Sequence, residues 1–158
     1  MKKIHDFYFP EWDNHFQKYF NPNRGYQEEQ RNRALSFVKD FGVAVDCGAH
    51  VGLWSRDLSN FFENLYCFEP VKEFFECLKL NVNSKNVKLY NLGLGEKEKE
   101  VEFIVTNSLG NSGNSMDDSL FLLHLVSGSF FIRLINLTAV FNLYLRVGGL
   151  SSTISSST

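Results

Sequence analysis

The chain has 158 residues, of which 44% are hydrophobic and 22% charged, and its formal net charge is −2. These values fit one globular domain and give no electrostatic reason to expect nucleic acid or an anionic membrane as a partner. The three cysteines form no CxxC pair, which argues against a disulfide framework and a zinc site. They predict reduced thiols, a cytoplasmic location and no metal.

The composition changes near Asp118. Every acidic residue lies at or before this position, and beyond it only Arg133 and Arg146 carry formal charge. The uncharged runs around Arg133 are shorter than the roughly 18 residues that a membrane helix needs, so no membrane partner is expected. Three segments are therefore predicted: an aromatic N-terminal segment at 1–33, a cofactor-binding unit at 34–118 and a leucine- and serine-rich tail at 119–158.

The predicted elements alternate along the first two segments. Residues 1–26 are aromatic and irregular, and we interpret them as a segment packed on the sheet rather than a lid. Helices are then expected at 25–42 (closed by Gly42), 52–62 and 70–82, and strands at 43–47, 65–69, 87–92 and 101–105. This alternation is typical of half of a doubly wound parallel sheet, so an α/β, Rossmann-like fold is predicted, incomplete in its C-terminal half.

The segment VDCGAHVG at 45–52 indicates a ligand site. Right-handed crossovers bring the loops after the first two strands to one carboxyl edge of the sheet. There Gly48 and Gly52 let the backbone approach a ligand at a helix N-terminus, and a carboxylate at Glu69 can accept both hydroxyls of a ribose. The site therefore suits a cofactor that contains adenosine.

The glycine loop (residues 48–52, GAHVG) is not the GxGxxG of dinucleotide-binding domains. His50 stands where that motif has a small residue, and a carboxylate at Asp46 does not help to bind a pyrophosphate. A cofactor with a positive amino group and a sulfonium fits this acid better. A nucleotide- or NAD-binding Rossmann domain remains the alternative.

The segments VDCGAHVGLWS, CFEP, LKLNV and LYNLGLGEKEKEVEF, in this order, resemble the FkbM-type class I S-adenosylmethionine-dependent methyltransferases over roughly residues 34–105. The resemblance implies transfer of a methyl group to a hydroxyl of a sugar or small molecule, with S-adenosylmethionine as cofactor. It also implies a cofactor site in which one group of residues cradles the methionine part, Glu69 of the CFEP segment holds the ribose, and a later pair borders the adenine. These residues are Asp46, Gly48, Ala49 and Gly52 for methionine, Glu69 and Pro70 at the ribose, and Asn91 and Leu92 at the adenine.

The sequence departs from that family in two places. His50 replaces a usual asparagine, and we interpret it as a loop spacer rather than a base. The acidic D-x-E-G-like motif of the family's acceptor side is absent, and no carboxylate follows Asp118. No catalytic residue is therefore predicted, and a non-catalytic cofactor-binding remnant is a rival function.

The tail favours a truncated, frameshifted or otherwise non-homologous ending. Its residues 135–147 alternate between apolar and polar, a strand pattern that could cover an open sheet edge. Chance patterning in a leucine-rich stretch is the slightly favoured explanation. We also expect Cys47 and Cys67 to be packing residues.

Overall fold

A computed structural model describes residues 1–14, 25–95, 97–106 and 126–136, the stretches 101–106 and 126–136 by their backbone alone. The strands are β1 Lys2–Ile4, β2 Phe7–Phe9, β3 Val43–Cys47, β4 Asn64–Phe68, β5 Val87–Tyr90, β6 Gly93–Gly95, β7 Lys99–Thr106 and β8 Val126–Asn136. The helices are α1 Glu28–Leu35, α2 Ser55–Leu58 and α3 Lys72–Asn81. No helix in these stretches has the length and apolarity needed to cross a membrane.

Strands β3, β4 and β5 form a parallel sheet with β4 in the centre. Cys47 pairs with Phe68 and Phe68 with Tyr90, so the carboxyl ends of the three strands meet at one edge. The chain is thus a mixed α/β protein with a three-stranded parallel sheet, and the three strands lie where the alternation predicted them. The second half of a doubly wound sheet does not appear among the described residues.

The two faces of β4 pack differently. Leu65 and Cys67 lie against Leu78 and Val82 of α3 and its C-terminal end. On the other face Tyr66 and Phe68 form an aromatic group with Tyr90, whose ring stacks on Phe68 at 4.9 Å. Because both faces of β4 are apolar, its sequence reads as an unbroken hydrophobic run, as in central parallel strands.

Strand β3 lies at one edge of the parallel sheet. Within the described part of the chain only β4 pairs with it, and Val45 is 41% exposed. The expectation that Cys47 is a packing residue is wrong, because this side chain is exposed at the open edge, whereas Cys67 is buried as expected. The difference arises because β4, not β3, occupies the centre of this sheet.

The N-terminus forms an antiparallel hairpin of β1 and β2, the N-terminal hairpin (residues 2–9), where irregular chain was expected. Its Phe7 and Phe9 are buried together with Val51, Phe74 and Cys77. The segment was expected to pack on the sheet, but its hairpin packs instead on the glycine loop and on α3. Residues 15–24 lie outside the described part of the chain.

Two helices are shorter than predicted, and turns end them. Helix α1 stops at Leu35 rather than at Gly42, whose N–H is instead bound by the side chain of Asp40 at 2.8 Å. Helix α2 covers only Ser55–Leu58, because Gly52, with φ +90°, belongs to the preceding turn and residues 59–61 form a turn after the helix. Helix α3 agrees with its prediction to within two residues at the N-terminus and one at the C-terminus.

A second sheet has the order β6-β8-β7, with β8 antiparallel to β7 and parallel to β6. The strand predicted at 101–105 is confirmed within β7, although it joins this sheet rather than the parallel one. Only Ile135 and Asn136 of the alternating stretch fall within β8. Residues 137–147 lie outside the described part of the chain.

Candidate functional site

The glycine loop contains three residues with positive φ: Gly48 at +79°, His50 at +53° and Gly52 at +90°. The N–H of Gly52 donates to the carbonyl of Ala49 at 2.8 Å and closes the turn. Histidine, like asparagine, enters the left-handed region more readily than most residues. The left-handed backbone at position 50 is therefore one that histidine adopts at low cost.

The two glycines of the loop have different surroundings. A Cβ added to Gly48 meets no protein atom within 4 Å, while one added to Gly52 lies 2.5 Å from Cγ2 of Val82 and 2.8 Å from Cδ1 of Leu78. Gly48 and Ala49 both donate their N–H groups to the carbonyl of Phe68, at 2.9 and 3.0 Å. Gly48 thus leaves an approachable backbone surface, and Gly52 lets the loop pack closely on α3.

Asp46 lies near the end of β3, directly before the loop. Its Oδ2 accepts a hydrogen bond from Oγ of Ser55 at 2.6 Å, which fixes the carboxylate relative to α2. Burial raises the pKa of Asp46, and the Ser55 hydroxyl opposes that increase. Sequence reasoning missed Ser55; the signal was a serine nine residues after the acid, at the start of the helix that follows the loop.

Glu69 is 4% exposed, so it is not a solvated strand-end acid. Its Oε2 accepts the N–H of His50 and its Oε1 that of Val71, both at 2.8 Å. Burial raises the pKa of Glu69 to about 7, although the N–H groups of Val71 and His50 lower it, and the charge of Asp46 raises it further. Asp46 and Glu69, the acid pair, therefore form one electrostatic site at the carboxyl edge.

The residues predicted near an adenine separate into two environments. Asn91 donates through Nδ2 to the carbonyls of Glu69 and Pro70, at 2.8 and 3.1 Å, and so lies beside the acid pair. Leu92 packs instead with the cluster of Tyr66 and Phe68. The structure thus brings Asn91, Glu69 and Pro70 together and turns Leu92 toward the core.

The N-terminal segment reaches the glycine loop through Asp13. Its Oδ2 lies 3.9 Å from Nε2 of His50, and both side chains are largely buried. The His50 ring also lies against Phe74 of α3, with 3.8 Å between ring centroids. Sequence reasoning missed Asp13, because no local pattern links a residue of an N-terminal segment to a loop more than thirty residues later.

No family model matches the chain, and no curated protein matches it. The resemblance to FkbM-type methyltransferases therefore stays a prediction. A solved structure named "Putative Type II Methyltransferase", from Anaeromyxobacter dehalogenans, is similar to 44% of the chain with 20% identity and a TM-score of 0.36. The similar part spans 28% of that protein. At this TM-score the likeness does not establish a shared fold.

Proposed function

We propose that the chain binds S-adenosylmethionine at the carboxyl edge of β3 and β4, as the cofactor-binding part of a methyltransferase that acts on a hydroxyl of a sugar or small molecule. The observation that carries this proposal is the arrangement of Asp46 and Glu69 around the glycine loop. The two carboxylates lie at the ends of neighbouring parallel strands, and Gly48 between them presents open backbone.

The charge of the edge favours this cofactor over a dinucleotide. S-adenosylmethionine carries an ammonium and a sulfonium, and both are attracted by carboxylates. The pyrophosphate of NAD is an anion and is repelled by the same groups. Burial raises the pKa values of both Asp46 and Glu69, and a cation bound beside them would stabilise their ionised forms.

The hydrogen bonding of Glu69 is compatible with a ribose. Each carboxylate oxygen accepts one backbone N–H, and an ionised carboxylate has about four acceptor positions in all. Two positions remain for the two hydroxyls of a ribose. Because Glu69 is buried, the side chains that cover it have to move when the ribose binds. The loop and the strand end are held by backbone hydrogen bonds, so this movement need not disturb them.

Bound S-adenosylmethionine supplies an electrophilic methyl group, and the protein contributes alignment of the acceptor and removal of its proton. Asp46 accepts the Ser55 hydroxyl, and Glu69 accepts two backbone N–H groups with its remaining acceptor positions assigned here to the ribose, so we assign neither as that base. We therefore propose that the acid pair binds and orients the cofactor. Methyl transfer by this chain is expected to be slow.

Cofactor binding without catalysis is the second candidate. It is favoured by the open side of β3, because in complete doubly wound sheets a further strand lies there and the ligand crevice forms between the two halves. No such strand pairs with β3 in the described part of the chain.

One experiment separates these functions. The full chain is dialysed against radiolabelled S-adenosylmethionine, with excess S-adenosylhomocysteine or NAD as competitor, and then assayed on a panel of hydroxyl acceptors. Displacement by S-adenosylhomocysteine and not by NAD supports the cofactor assignment. Turnover on any acceptor supports the methyltransferase, and binding without turnover supports the second candidate. Displacement by NAD alone contradicts both.

A further inference from the structure

We infer that Asn81 is a positioning residue that fixes the glycine loop to the N-terminal hairpin, so that the loop's shape depends on the hairpin. The link itself is independent of the ligand. Only its effect on affinity rests on the proposed function.

Asn81 is the last residue of α3 and is 7% exposed. Its Oδ1 accepts the N–H of Tyr8 at 2.7 Å, and its Nδ2 donates to the carbonyl of Tyr8 at 2.9 Å and to that of Val51 at 2.8 Å. Both amide hydrogens are therefore used. The Asn81 side chain thus pairs with both backbone groups of Tyr8 in β2, as a neighbouring strand would. It also binds the carbonyl of Val51 in the glycine loop.

A buried amide at this position is costly unless its bonds are made. An apolar side chain would fill the same space, but it would leave the carbonyl of the fully buried Val51 without this donor. An unsatisfied buried carbonyl also carries a desolvation cost. The hydrogen bond between Asn81 and Val51 therefore avoids a cost for both buried groups, and it forms only when the loop has the observed geometry. The asparagine thus selects one loop geometry.

The loop is held at three consecutive residues. The N–H of His50 is bound by Glu69, the carbonyl of Val51 by Asn81, and Gly52 packs on Leu78 and Val82. Asn81 and Leu78 lie in α3 and Val82 follows it directly. Glu69 precedes this helix. Of these residues, Asn81 also binds the hairpin, through the backbone N–H and carbonyl of Tyr8.

The hairpin has its own anchor beside the loop. Arg56 of α2 pairs with Asp6 at the hairpin turn, and its guanidinium lies over the ring of Phe7, 3.7 Å from the ring centroid. The hairpin is therefore fixed to α2 by Arg56 and to α3 by Asn81, the two helices that follow the glycine loop in the chain. Displacement of the hairpin is expected to release the loop.

The first test uses the wild-type chain and native-state amide hydrogen exchange. The N–H groups of Tyr8, His50 and Gly52 are all hydrogen-bonded, to Asn81, Glu69 and Ala49. If Asn81 joins hairpin and loop, the three amides open together, with protection factors that agree within about threefold. Protection of Tyr8 that differs from that of the loop amides by more than about tenfold overturns the proposal, and this holds even if no variant folds.

The second test compares Asn81→Ala with Asn86→Ala. Asn86 also donates its amide to two backbone carbonyls, those of Ser59 and Phe62, at 2.8 and 2.7 Å, but at the opposite end of the sheet. Asn81→Ala is expected to accelerate exchange at Tyr8 and the loop by at least about tenfold relative to Asn86→Ala, after both are corrected for global stability. Equal exchange at the loop in the two variants overturns the proposal.

The ligand provides a separate readout. Asn81→Ala is expected to weaken binding of S-adenosylhomocysteine by about tenfold, and Asn86→Ala by less than about twofold. If the wild-type chain does not bind this ligand, the proposed function fails, while the exchange data still decide the role of Asn81. If it binds and the two variants bind equally, the proposed effect on affinity is wrong.

Discussion

The carboxylate of Glu69 joins the glycine loop to the start of α3: Oε2 accepts the N–H of His50 and Oε1 that of Val71, both at 2.8 Å. The residue expected from the sequence to hold a ribose is therefore also a structural link between a loop and a helix. Its substitution affects folding as well as binding, and each prediction about it needs a control that separates the two.

The first prediction concerns pH. In the folded chain the pKa of Glu69 is raised from an ordinary 4.5 to about 7, so between these values the folded state binds more protons than the unfolded state. The free energy of unfolding therefore falls as the pH rises from about 4.5 to about 7, by up to roughly 3 kcal/mol. Urea unfolding at a series of pH values measures this slope.

The substitution Glu69→Gln is the control for that slope. It removes the titrating group while keeping the side chain's shape, so most of the decrease in stability between about pH 4.5 and pH 7 should disappear. A smaller decrease remains, because burial also raises the pKa of Asp46. An unchanged slope in this variant would mean that Glu69 titrates normally.

The second prediction compares the two glycines of the loop. Both have positive φ, so alanine at either position costs roughly 1–2 kcal/mol of stability. At Gly52 the new Cβ also meets Val82 at 2.5 Å, which adds roughly 1–3 kcal/mol. Gly52→Ala should thus be the less stable variant in thermal unfolding. Equal unfolding temperatures would show that the loop moves away from α3 at little cost.

The third prediction concerns the coupling of the acid pair. The charge of Asp46 raises the pKa of Glu69, so Asp46→Asn should lower that pKa. NMR titration of the Glu69 carboxyl carbon measures the change. Asp57→Asn is the matched control, because Asp57 lies in α2 and pairs with Arg31 rather than with the loop. Equal effects of the two substitutions would indicate that Asp46 and Glu69 do not interact.

The fourth prediction concerns the thiols. Cys47 is exposed, whereas Cys67 and Cys77 are buried. Burial also raises the pKa of Cys67 to about 12 and that of Cys77 to about 11, so both react slowly as thiolates. Alkylation of the native chain followed by mass spectrometry should therefore label Cys47 first, and S-adenosylhomocysteine should slow this labelling. Equal labelling of all three thiols would contradict the described burial.

The sequence was sufficient to predict the three parallel strands and helix α3. Each of these elements corresponds to a single apolar run, and glycine, proline or asparagine marks the ends of the run. It was also sufficient to place Asp46 and Glu69 at one edge, since the carboxyl ends of successive parallel strands meet there. These predictions depend only on local periodicity and on the handedness of the crossover.

The remaining features depend on contacts that local patterns do not contain. The hairpin has strands of three residues each, too short for a period of two to be recognised, and Asn81 binds Tyr8 from 73 positions further along the chain. The burial of Glu69 also depends on such contacts, because the N–H groups of the loop and of the start of the next helix converge on its carboxylate.

The affinity of the full chain for S-adenosylhomocysteine at pH 8, measured by calorimetry, tests the central claim most directly when wild type, Glu69→Gln and Glu76→Gln are compared. Glu76 is the control, because it lies on α3, pairs with Lys79 and has a side chain that is only partly buried. We expect the wild type and Glu76→Gln to bind equally, and Glu69→Gln to bind more weakly by roughly 1.5–3 kcal/mol. A folded Glu69→Gln variant with wild-type affinity, or a wild type that binds NAD more tightly, would contradict the claim.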